Sequence, residues 1–217
     1  MAFLRTCWPQ LELAINHVCS AQNHQGGIFW AKNASGTWDQ DCLLTGCCSI
    51  YKSLSCAIHI ATILTINVDH WKHSYDALGR AISQYPIGFD MTWESKKNFS
   101  MDWFYPMLCG ALTKEASIKQ LHSKWDLFVE NGMGCRCVQN QPWVTIAETA
   151  ELIMALCRLN QRDLATELLH SLFNFTDSDG LFWMGYNYET DTFWPKVKPT
   201  WTMAALVLAI DSVLDLT

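Results

Sequence analysis

Apolar residues recur at helical spacing in about eight stretches of this chain. They run over Pro9–Ala21, Thr45–Leu64, Trp71–Gln84, Tyr105–Leu112, Lys114–Glu130, Thr145–Leu159, Gln161–Asn174 and Thr200–Leu214. No stretch alternates with the two-residue period of a strand, so the pattern predicts an all-α fold. The helices differ in kind. Lys114–Glu130 and Gln161–Asn174 gather charges on one side (Lys119, Lys124 and Glu130; Arg162, Asp163 and Glu167), as half-exposed helices do. Thr145–Leu159 and Thr200–Leu214 are small or apolar almost all round, which predicts burial on most sides. Alternation of the two kinds predicts two concentric layers, with Thr45–Leu64, Tyr105–Leu112, Thr145–Leu159 and Thr200–Leu214 inside.

An internal repeat supports that arrangement. Gln22-Asn-His-Gln-Gly-Gly27-Ile-Phe-Trp30 is similar to Phe175-Thr-Asp-Ser-Asp-Gly180-Leu-Phe-Trp183. Each follows an amphipathic helix and precedes an apolar one. Pro142-Trp-Val-Thr145-Ile-Ala147 echoes Pro199-Thr-Trp-Thr202-Met-Ala204 in the same way. Each unit reads as outer helix, turn, inner helix. The expectation is one domain over residues 1–217, an incomplete α/α toroid of about four helical hairpins.

Composition narrows the function. Of 217 residues, 50% are hydrophobic and 17% charged, which excludes a disordered chain. A net charge of −6 without any Lys/Arg block excludes the electrostatic footprint of a nucleic-acid binder. The ten cysteines are scattered, several within helical patterns. No long apolar segment follows Met1, so a cytoplasmic location with reduced thiols is expected. Cys135-Arg-Cys137 has no matching second pair, so no metal site and no cofactor are expected. The longest apolar run, Ala57–Val68, is too short to span a bilayer.

Acids and aromatics supply the candidate chemistry. Asp102, Trp103 and Tyr105 precede a helix with Pro106 in its first turn. Asp102 there is either a general acid/base or a helix cap. Glu148 and Glu151 share one face of the next inner helix. Thr145-x-x-Glu148 also fits a capping box. Glu151, deeper in an apolar helix, needs a partner, and Arg136 is the candidate. Glu189 follows Trp183-Met-Gly-Tyr186-Asn-Tyr188, which places an acid among rings. Trp103, Tyr105, Arg136, Trp143, Trp183, Tyr186, Glu189 and Trp201 are candidate substrate-binding residues, beside Asp102, Glu148 and Glu151 as catalytic ones. Trp30 and Trp183 also suit packing of hairpin on hairpin. His59, on an apolar helix face, reads as a hydrogen-bonded core histidine.

The Gln/Gly-Gly-Ile-Phe-Trp turn resembles that of squalene cyclases and of protein prenyltransferase β-subunits. Longer strings resemble bacterial prenyltransferase-like proteins. They are Leu43-Leu-Thr-Gly-Cys-Cys-Ser-Ile50, Ser100-Met-Asp-Trp-Phe-Tyr-Pro106, Gly134-Cys-Arg-Cys-Val138, Pro142-Trp-Val-Thr-Ile-Ala-Glu-Thr-Ala-Glu151 and Phe182-Trp-Met-Gly185 with Tyr188-Glu189. The resemblance implies the (α/α)6 toroid of terpenoid cyclases and a pocket for an isoprenoid-like or glycosylated small molecule. The Asp-x-Asp-Asp run of the cyclases is absent, and Asp39-Gln-Asp41-Cys42 lacks the spacing of the prenyltransferase zinc motif. Paired acids and tryptophans equally suit a six-hairpin-type carbohydrate-active enzyme. A non-catalytic binding module or truncated remnant is a further alternative.

Overall fold

A computed structural model describes residues 1–216. Among them are eight α-helices: α1 (Ala2–Ser20), α2 (Leu44–Leu64), α3 (Asp69–Ser83), α4 (Ser100–Cys109), α5 (Lys114–Phe128), α6 (Ile146–Arg158), α7 (Arg162–Leu172) and α8 (Thr200–Leu214). A single 3-10 turn, Phe173–Phe175, extends α7. The all-α expectation holds, but strands are present. β1 (Val129–Glu130) pairs with β2 (Gly134–Cys135), and β3 (Trp143–Thr145) pairs with β4 (Gly185–Asn187), which pairs with β5 (Thr192–Phe193), all antiparallel. Strands of two or three residues are too short to display a period, which is why the sequence pattern passed over them.

The chain divides into two compact units. The first comprises Met1–Lys96 with Cys109–Leu112. In it α2 packs against α1 and α3. The buried residues of α2 form one stripe, Leu44, Cys47, Cys48, Tyr51, Leu54, Ala57, Ala61 and Leu64. By length and composition alone α2 could cross a membrane, since it is longer than the apolar run read from the sequence. The side bearing Lys52, Ser53, Cys56 and His59 is exposed, and His59 is not a core residue.

The second unit comprises Lys97–Leu108 and the chain from Thr113 onward. Here α6 packs against both α7 and α8. Ile146, Thr149, Ala150, Leu152, Ile153, Ala155 and Leu156 of α6 are buried, whereas α5 buries only Ser117, Leu121 and Phe128. The helix lined by small and apolar residues is therefore the core, as expected. On α8 only Thr202, Leu206 and Ala209 are buried, and Val207 and Leu208 are exposed, so full burial is not observed there.

The repeat is a structural one. Asn23 Oδ1 accepts the backbone N–H groups of Gln25 and Gly27, and Asp177 Oδ1 those of Asp179 and Leu181. Gln22 bridges Ile28, and Thr176 bridges Phe182. The same turn occurs a third time at Asn33, which accepts from Ser35 and Thr37. An Asx side chain mimics a backbone turn, and a residue in the left-handed region closes it. Gly26 (φ 94°), Gly36 and Gly180 fill that position. At Gly26 a Cβ would also lie 2.4 Å from the Ala77 carbonyl oxygen. Gly26→Ala should therefore destabilise the first unit by roughly 1–3 kcal/mol. Urea titration would check this, and an unchanged midpoint would show that the loop relaxes freely.

Helix ends depart from the sequence reading in two informative places. α1 begins at Ala2, so Pro9 lies inside it rather than at its start. α4 begins at Ser100, so Pro106 lies inside the helix and Asp102 in its first turn. Proline removes one helix hydrogen bond and crowds the carbonyl four residues earlier, and a helix can hold it where packing outweighs that cost.

Candidate functional site

The site is built where β3 runs directly into α6. Pairing of Trp143, Val144 and Thr145 with Asn187, Tyr186 and Gly185 fixes the strand, and Ile146 N–H donates to the Met184 carbonyl (3.2 Å). The start of α6 is thus held by the β3–β4 ladder. The predicted capping box does not form. Thr145 occupies the N-cap position without a side-chain cap bond, and its hydroxyl donates to Glu148 Oε2. Thr149, fully buried, links α6 to the preceding loop: its hydroxyl donates to the Thr145 carbonyl (2.6 Å) and accepts from Cys135 N–H (2.8 Å). That approach requires glycine at 134, since a Cβ there would lie 2.6 Å from Thr149 Oγ1.

The same loop anchors α4. Ser100 N–H, one of the amides a helix start leaves unpaired, donates to the Cys137 carbonyl (3.0 Å). Further along α4, the Tyr105 hydroxyl donates to Glu151 Oε1 at 2.8 Å. Two helices and one loop thereby bring Tyr105, Glu148, Glu151 and Cys137 together.

The electrostatics follow from burial. Desolvation raises the Glu151 carboxyl to about 7; the Tyr105 hydrogen bond opposes this, and the nearby Glu148 charge adds to it. Burial, with the Glu148 charge and hydrogen bond, likewise pushes the Cys137 thiol up to about 12. Glu151 is therefore an acid able to hold or release a proton near neutral pH, while Cys137 remains a thiol.

Arg136 is not the partner of Glu151. Its guanidinium pairs with Glu130, donates from Nε to the Tyr188 hydroxyl (2.8 Å), and donates to the Asp126 and Leu127 carbonyls in the last turn of α5. A cation there satisfies carbonyls that the helix leaves open, a structural task. Glu130 and Arg136 stand on the two arms of the β1–β2 hairpin, so local geometry outcompetes a reach across to α6.

The other candidates have these surroundings. Trp103 is fully buried, stacked on Phe128 (5.3 Å between centroids), with its indole N–H donating to the Gln120 carbonyl (2.8 Å). It belongs to the α4–α5 packing, not to a ligand surface. Asp102 is buried in the first turn of α4, near enough to Lys124 that its charge opposes the lowering of that ammonium by burial. Trp183 stacks on Phe193 (5.2 Å) with the Lys198 ammonium over its ring (4.6 Å). Lys198 also pairs with Asp177, which ties the turn to the same packing. Tyr186 donates to Asp191 (2.7 Å), and Glu189 is exposed at the tip of the β4–β5 hairpin, where its N–H donates to Asn187. Trp201, at the start of α8, is 59% exposed. Trp143 lies edge-on to Trp194 (5.3 Å), and its indole N–H donates to the Trp194 carbonyl (2.7 Å).

Residues not among the predicted site residues are Cys137, Tyr188 and Glu130. Each acts through a contact distant in sequence or through a turn with no periodic signal. In the first unit, Asp41 is a further buried acid. Burial raises its carboxyl, but bonds from the Met91 and Thr92 amides, the Thr92 hydroxyl and Cys42 N–H outweigh that and hold it below the usual range. It ties its turn to residue 92, a structural role.

No family profile matches the chain. A protein from Mycolicibacterium hassiacum, described as an MMP endo-(1,4)-3-O-methyl-alpha-D-mannosidase, is 38% identical over 211 residues. The match covers 97% of this chain, which spans 57% of the length of that relative. It overturns the resemblance to prenyltransferases and terpenoid cyclases, along with the transferase function and isoprenoid-type pocket inferred from it. The turn is explained within this chain by structure: an Asx side chain and a left-handed glycine close it at Asn23, Asn33 and Asp177. The carbohydrate-active alternative is the reading that the relative favours.

Proposed function

We propose that this chain carries the acid catalyst of a glycoside hydrolase acting on α-linked mannosides, with or without O-methyl groups. The observation that carries the reading is Glu151: a half-buried carboxyl raised to about 7 and oriented by Tyr105. Glycoside hydrolysis needs a carboxylic acid that is still protonated near neutral pH, to give its proton to the departing glycosidic oxygen. Burial keeps Glu151 protonated, and the charge of Glu148, one turn earlier, adds to it. A second carboxylate must act from the other side of the sugar ring. The helix that supplies Tyr105, α4, carries a further acid. We assign that role to Asp102, a buried acid one turn before Tyr105. The β3–β4 ladder holds the start of α6, and the loop at Cys137 holds the start of α4.

The test is incubation with α-(1→4)-linked mannose oligosaccharides, methylated at O3 and unmethylated, following new reducing ends. Turnover lost in Asp102→Asn and in Glu151→Gln supports the assignment; azide restoring turnover to Asp102→Ala would place Asp102 at the anomeric carbon. Cleavage of neither substrate would refute the hydrolase reading.

Tyr105→Phe adds a signed prediction. A general acid works while protonated, so kcat/KM should fall as pH rises through about 7. The Tyr105 bond lowers the Glu151 value; its removal should move this alkaline limb to higher pH. A limb that stays in place, or moves to lower pH, would mean that another group sets it.

A further inference from the structure

Beside β3 lies an open cleft of about 470 Å³, lined by Gln141, Trp143, Asn187, Thr190, Thr192 and Trp194. We infer that this cleft is a sugar-binding subsite for a distal unit of an extended, uncharged carbohydrate chain. The inference rests on the hydrolase reading for its substrate class but uses none of the residues assigned to bond cleavage.

Three features carry it. The lining holds two indoles, two carboxamides and two threonine hydroxyls, and no charged side chain. Such a set suits a ligand with an apolar face and many neutral hydroxyls; a phosphate, a nucleic acid or an acidic peptide would need a cation there. The indoles are preset. The Trp143 N–H is held by the Trp194 carbonyl, and Trp194 stands edge-on to it with 61% of its surface exposed. The carboxamide and hydroxyls are also ordered: Asn187 Oδ1 accepts the Glu189 and Thr190 amides, and the Thr190 and Thr192 hydroxyls share a bond of 2.8 Å. Trp143 is two residues before Thr145 on the same strand, and the Thr145 hydroxyl donates to Glu148.

The first unit offers an internal comparison. Its corresponding cleft is lined by Ala31, Lys32, Asn33, Trp38, Asp39 and Gln40. There the Lys32 ammonium sits 4.2 Å above the Trp38 ring, and His17 lies 5.6 Å from it. That ring is already covered, so Trp38 serves as the control.

The experiment is calorimetric titration of α-(1→4)-linked mannose oligosaccharides of increasing length into Glu151→Gln protein. The same series is run with Trp194→Ala, Gln141→Ala or Trp38→Ala added. Affinity should rise with chain length, and Trp194→Ala should remove roughly a tenfold gain, about 1.4 kcal/mol. Gln141→Ala should remove a smaller part, and Trp38→Ala none. Replacement at 194 keeps the backbone carbonyl that holds Trp143, and thermal melting confirms folding of each variant. Equal affinity with and without Trp194, affinity independent of length, or no binding at any length would overturn the subsite. Length-dependent binding by a wild-type protein that releases no reducing ends would sink the hydrolase reading and leave the subsite standing.

Discussion

Glu151→Gln should lower kcat/KM by about 10²–10⁴-fold while making the protein more stable above neutral pH. Both effects have one origin. The folded chain holds the Glu151 proton to about pH 7, mainly because ionisation would leave a desolvated charge, whereas in the unfolded chain a glutamate ionises near pH ~4.3. Between those values the folded state binds more protons than the unfolded state. Stability therefore falls as pH rises through this window, and above it the charged form costs up to about 3 kcal/mol. Glutamine keeps the shape and an oxygen that accepts from Tyr105, but carries no charge at any pH. The variant should lack this component of the pH dependence, with its urea midpoint above the wild-type one at pH 8 and close to it at pH 4. A carboxylate held ionised by a partner would give the opposite sign above neutral pH, a variant less stable there. Denaturation at several pH values, beside the reducing-end assay, separates the two.

Trp103→Ala should cost about 3–5 kcal/mol, the largest stability loss among the substitutions considered for the second unit. The ring is fully buried against Phe128, with Trp125 edge-on at 6.4 Å. Its truncation leaves a large cavity and strips the Gln120 carbonyl of its donor. Since the loss is a large share of typical domain stability, Trp103→Phe is the companion variant. It retains a stacked ring and gives up the N–H, so roughly 1–3 kcal/mol should go. Turnover per folded molecule should persist in Trp103→Phe. Were Trp103 a substrate-binding residue, Trp103→Ala would instead stay folded and lose binding.

The sequence legibly carried the helices and the hairpin repeat. Burial of α6 was written in its small and apolar residues, and the Asn23 and Asp177 turns in Asx-x-x-Gly spacing, because each is a property of consecutive residues. The spacing of Glu148 and Glu151 also placed two acids on one helix face without any tertiary information. Only the folded chain decided what those acids meet. Thr145 was a plausible cap by spacing, yet the strand feeding α6 turns its hydroxyl to Glu148. Arg136 looked like the counterion of Glu151, yet Glu130 and the end of α5 were nearer. Tyr105 reaches Glu151 across 46 positions of sequence. The turn motif misdirected the reading of chemistry because hairpin geometry, not the reaction, selects its residues. Periodicity reports which side of a helix is apolar; the proton affinity of a carboxyl depends on which groups from other elements stand within a few ångströms of it, and that is settled only by packing.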